Sequence, residues 1–142
     1  MASYLPYSLL AVAAYALVAP LMRIATSGTD AIPSDIAAAI SNVILVVAAI
    51  TIAVAGGQDI SAHLTSSKIG YVLAAGCCLA VGILAYYRAL ALGPVSVVTP
   101  IFATFLVFSS IIGILALGES FSARKTIGIL LAIGGIYLVS TA

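Results

Sequence analysis

The chain has 142 residues, 64 % of them hydrophobic and 6 % charged, with a formal net charge of +1. A soluble domain carries roughly 25 % charged residues, and these few polar side chains do not suffice to cover a water-facing exterior. No basic patch interleaved with aromatics is present, so nucleic-acid binding has no footprint, and no tripeptide glycine period points to a fibre. What remains is an all-α integral membrane protein whose solvent is the lipid bilayer.

The first predicted span runs from Tyr4 to Ile24. Pro6 falls in its first turn, where the missing N–H is not needed, and Pro20 loosens or kinks its last turn. No Lys or Arg precedes Arg23, so this run reads as a retained helix rather than a cleaved signal. Residues Thr26 to Asp30 form a turn, and Ser34 or Asp35 is expected to cap the second span, Ile36 to Ala55. Gly56 and Gly57 stop that span, and the connector from Gln58 to Ser67 is mildly amphipathic, suited to the interface. The third span, Lys68 to Leu92, ends at Gly93-Pro94, with glycine in the C′ position and proline opening the fourth span, Val95 to Leu117. So tight a turn makes the third and fourth spans antiparallel neighbours. Gly118-Glu119-Ser120 breaks the chain, and Ser122 caps the fifth span, Ala123 to Val139 or Ser140. The whole of 1–142 thus reads as a single five-helix domain.

Five spans put the termini on opposite sides of the membrane. Lys68, Arg124 and Lys125 share the side of the N-terminus, against Arg23 and Arg88 on the other, which places the N-terminus in the cytoplasm by one charge. So small a bias suits a chain that inserts in both orientations.

In lipid, helices approach closely where side chains are small. Gly70, Ala74, Cys78 and Gly82 recur at steps of four on the third span, and Gly128, Ala132 and Gly135 share a face of the fifth. Both stripes read as packing surfaces, within the chain or between subunits. Cys77 and Cys78 are adjacent and point about 100° apart on a helix, so they form neither a metal pair nor a disulfide framework.

Polar groups at membrane depth are the candidate functional residues. Asn42 lies about 5 Å from the centre of the second span and either joins helices or lines a cavity. Tyr15, Tyr86 and Tyr87 each carry a hydroxyl that needs a partner or a headgroup. Arg88 either snorkels or turns inward to meet an anionic group, and Arg23 can snorkel too. Pro100 frees the carbonyl of Ser96, which Ser96, Thr99 and Thr104 are placed to cover or to supplement with hydroxyls facing a cavity. Glu119 is close in sequence to Arg124 and Lys125 and is expected to pair locally. No Asp or Glu lies near the centre of any span, and no nucleophile–base pair, phosphate loop or metal cluster occurs. The chain reads as a non-enzyme without cofactor or metal.

Ala85 to Ser140 resembles the EamA domain of the drug/metabolite transporter superfamily, through the Tyr86-Tyr87 end of the third span, Gly93-Pro94, Val97 to Pro100, Leu117-Gly118-Glu119 and the glycines from Gly128 to Gly135. Residues 1–84 resemble it more loosely, in layout and in Arg23 late in the first span. The resemblance implies one half of an inverted-repeat transporter. Two such units would face each other as an antiparallel homodimer, or as a heterodimer with a second five-helix protein, and pass a small polar or amphipathic metabolite or drug by alternating access. Tyr15, Asn42, Tyr86, Arg88, Ser96, Thr99, Pro100 and Thr104 would then line the passage, with the fifth span outside. The small multidrug-resistance relatives carry a glutamate in their first helix, whereas Ala11 to Leu21 here holds no acid. The other class of function is an accessory membrane subunit that pairs with another half-unit and transports nothing.

Overall fold

The computed structural model describes residues 4–118, 120 and 122–141. Among them are six helices: α1 (Leu5–Ala25), α2 (Ser34–Ala55), α3 (Ile60–Leu64), α4 (Ile69–Leu92), α5 (Val95–Ala116) and α6 (Ala123–Ser140). All but α3 are long and apolar enough to cross a membrane, which makes five spans. The chain is a multi-pass membrane protein.

The helix ends follow from local chemistry. After α2, Gly57 adopts φ +70, its N–H bonds the Val54 carbonyl, and Gln58 N–H bonds that of Ala53. This pair of reversed bonds closes the free carbonyls of the last turn, and only glycine takes the left-handed conformation at little cost. Ser122 Oγ accepts from Lys125 N at 3.2 Å and so caps α6, as its sequence position suggests. The start of α2 differs from expectation. Ser34 is already helical behind Pro33, and neither Ser34 nor Asp35 makes a capping bond. Asp35 instead sits in the first turn, where its charge favours the positive end of the helix. Gly93 does not take the left-handed conformation of a C′ glycine, and Pro94 stands just outside α5 as its N-cap.

α3 is an addition to the sequence reading of the connector. Asp59 Oδ1 accepts from Ser61 N at 2.9 Å, Ser61 Oγ at 2.7 Å and Ala62 N at 3.4 Å, which fixes its first turn. These donors, the Ser61 hydroxyl first, hold the Asp59 carboxyl below its ordinary range.

The chain divides into two compact units, Met1–Ala91 and Leu92–Ala142. In the first, the buried residues gather at one end: Ala19 late in α1 and Thr26 just after it, Ala37 and Ala38 early in α2, and Tyr86, Tyr87 and Leu90 late in α4. Tyr86 and Tyr87 also face each other, with ring centroids 5.9 Å apart. Toward the other end, Leu5–Leu17 of α1 and Gly70–Val81 of α4 are exposed throughout. Helices α1, α2 and α4 thus close together at one end of the unit, whereas α1 and α4 are exposed along their opposite halves. Arg23 adds a polar tie at the closed end, where Nη1 donates to the carbonyls of Leu90 at 2.7 Å and Ala91 at 2.8 Å. Its head is therefore turned into the protein rather than snorkelling outward.

In the second unit, α5 and α6 form a hairpin with Val107 and Gly113 buried. Pro100 lies within an α5 that continues through it. Gly118, at φ +68, follows the last turn of α5. Glu119 lies outside the described residues, and Lys125 Nζ donates to the Ser120 carbonyl at 3.0 Å.

Candidate functional site

Asn42 faces a groove between α2 and α4 with a cavity volume of about 330 Å³. Asp35, Ala38 and Ala39 complete the α2 wall, and Gly76, Leu79, Ala80, Ile83 and Leu84 form the wall on α4. The volume lies at the lower end of the range for small-molecule sites. Asp35, Ala38 and Asn42 are spaced i, i+3, i+7 and so share one face of α2. Small residues on both walls keep the groove from filling.

The Asn42 Nδ2 donates to the Ala38 carbonyl at 2.8 Å, and Ser41 Oγ donates to the same oxygen at 3.0 Å. Its side-chain Oδ1 accepts from no described residue. A half-buried amide near the middle of a membrane helix thus lines the groove. Groups without water at this depth gain strongly from a partner. Asp35 stands about 10 Å further along the same face, at the α2 N-terminus, and its exposed carboxylate is met by Ser34 Oγ at 3.4 Å.

The other expected passage residues fall in several places. Tyr86 is buried at the closed end of the first unit, whereas Arg88, two residues on, is exposed. Tyr15 is 70 % exposed on α1 and lines neither described cavity. Thr99, Pro100 and Thr104 are half-buried in the second unit, and Ser96 is exposed there. Among these, Asn42 alone lines a described groove.

The second unit has its own groove along the α5–α6 hairpin, about 360 Å³, lined by Ser110 and Val107 on α5 and by Lys125, Gly128, Ile129 and Ala132 on α6 among others. Two members of the α6 small-residue stripe, Gly128 and Ala132, therefore form its floor. Gly135 and the α4 stripe of Gly70, Ala74 and Cys78 are exposed, and Gly82 is half-buried. A Cβ built on Gly70, Gly82, Gly128 or Gly135 would meet no described atom within 4 Å. The stripes are open surfaces of this chain.

Sequence reasoning missed Asp35 as a wall residue and Arg23 as an internal tie. The spacing of Asp35 from Asn42 carries the first signal. For the second, the signal is Pro94, which deprives the Leu90 carbonyl of its helical donor. No group of three or more His, Cys, Asp or Glu side chains is placed to hold a metal among the described residues.

Comparison with known proteins joins this architecture to a family. No curated protein and no solved structure matches the chain. The model of the EamA-like transporter family matches residues 2–141. That span takes in all five membrane helices and the groove residues of both units, well beyond the resemblance read from Ala85 to Ser140. The chain belongs to the EamA-like transporter family.

Proposed function

We propose that this protein carries a small polar or amphipathic solute across the membrane by alternating access, in partnership with a second five-helix unit in inverted orientation. The partner is a second copy of the chain or a sister protein. The observation that carries the reading is Asn42 itself, a half-buried amide at membrane depth that lines a groove between α2 and α4. Its Nδ2 donates to the Ala38 carbonyl of its own helix, so the residue is not joined to a neighbouring helix by that bond.

Membrane family membership and the exposed faces of α1, α4 and α6 support the partner. An inverted second unit supplies the missing wall of a central site in transporters built from repeats. The solute is recognised through neutral hydrogen bonding at Asn42, and Arg88 is the residue suited to an anionic group. The described spans hold no central carboxylate, which suits facilitated transport or coupling other than a mid-membrane proton site.

The test is transport by the purified protein in liposomes against pooled metabolites. Asn42→Ala is expected to lower initial rates roughly tenfold, the loss of one desolvated hydrogen bond of about 1.4 kcal/mol. If this variant transports at the wild-type rate, the site is misassigned. A wild-type protein that moves no solute, yet is needed for a partner's activity, is an accessory subunit instead.

A further inference from the structure

The Leu90 side chain is wholly buried, and its carbonyl lies four residues before Pro94. In a continuing helix that carbonyl would accept from the amide of residue 94, but proline has none. The Ala91 carbonyl belongs to the last turn of α4, whose acceptors a helix leaves without internal partners. A single nitrogen, Arg23 Nη1, meets both oxygens from the end of α1, 67 and 68 residues earlier in the chain. The cation also faces the negative pole of the α4 dipole. Around this contact lie the buried residues of the first unit, and beyond Leu17 on α1 and Val81 on α4 the helices are exposed.

We propose that Arg23 is a positioning residue that replaces the donor Pro94 lacks and so fixes the spacing of α1 and α4 at the closed end. The free ends of the two helices then swing about that fixed end during transport. The swing rests on the transport reading above; the tie does not. A bundle tied at one face and open at the other has one place where helix spacing is held by charge-assisted bonds. The exposed halves make no comparable contact among the described residues. Motion is therefore cheapest there.

The experiment measures distances between spin labels on the full chain in lipid nanodiscs, with Cys77 and Cys78 replaced by Ser. One pair, at Leu21 and Ala85, reads the closed end; a second, at Leu9 and Val72, reads the open end. The closed-end pair is expected to give a narrow distribution and the open-end pair a broad one. Arg23→Met should raise the fraction of molecules with a separated closed-end pair roughly tenfold. Arg23→Lys, which keeps a cationic donor, should stay near the wild type. The decisive variant is Arg23→Met with Pro94→Ala, because residue 94 then offers Leu90 an amide. This double variant should recover most of the narrow distribution.

An unchanged closed-end pair in Arg23→Met overturns the tie. So does a separated pair, or a failure to fold, that Pro94→Ala does not relieve. Transport assayed on the same samples separates the two halves of the proposal. A confirmed tie in a protein that moves solute with equal disorder at both ends overturns the swing, and a confirmed tie in a protein that moves nothing overturns the transport reading alone.

Discussion

The two units hold their helices together in different ways. In the second, α5 and α6 follow one another in the chain, and a short turn through Gly118 brings them side by side. Little beyond Val107 and Gly113 is buried to keep them there. In the first, α1 and α4 are joined only through α2 and α3, and their contact closes a segment of 67 residues. That end is held by an arginine on two carbonyls, two buried tyrosines with their rings tilted against each other and a wholly buried leucine. Covalent nearness lowers the entropy cost of pairing two helices, whereas distant helices need stronger contacts to meet. Since lipid provides no hydrophobic drive between helices, those contacts are polar bonds and close packing.

The contrast is broken most forcefully at Leu90. Leu90→Ala is expected to destabilise the first unit by about 3 kcal/mol through the cavity it leaves, measured as thermal unfolding in detergent. Val107→Ala, in the hairpin, should cost less, about 2 kcal/mol, because its surroundings are half-open and collapse more readily. An equal or larger loss at Val107 would reverse the comparison. Gly118→Ala should cost about 1 kcal/mol, the penalty of a Cβ in the left-handed conformation, since no described atom crowds that position.

The smallest effect lies at α3. The Asp59 carboxyl has its folded-state pKa lowered, so its contribution is present above the ordinary carboxylate pKa and is lost as the pH falls through the lower folded value. The protection of the Ser61 and Ala62 amides, taken as exchange relative to the intrinsic rate at each pH, should fall in that acidic window and not above it. Protection unaffected by Asp59 protonation would show that the cap does not hold the turn.

The five spans were legible because each is a long apolar run punctuated by glycine, proline or a capping residue, as at Gly56-Gly57 and Ser122. Asn42 was legible too, as the amide deep in the second span, although its choice between helix contact and groove was not. That choice depends on which small residues of α4 stand opposite, and Gly76 and Ala80 leave a gap there. Arg23 was read as a snorkelling side chain because its acceptors lie far away in sequence. Half the signal was local nonetheless, since Pro94 leaves the Leu90 carbonyl in need of a donor. The helix α3 was overlooked because five residues carry too little periodicity, although Asp59 is a capping residue in plain view.

Pairing with an inverted partner is tested most directly by tandem fusion. Five spans leave the C-terminus of one copy on the side where an inverted second copy begins, so two copies joined directly lie antiparallel. Inserting one additional membrane helix between them makes the same two copies parallel. Solute uptake in liposomes is expected from the direct fusion and not from the spaced one; uptake by the parallel fusion equal to that of the antiparallel one would contradict the inverted pair.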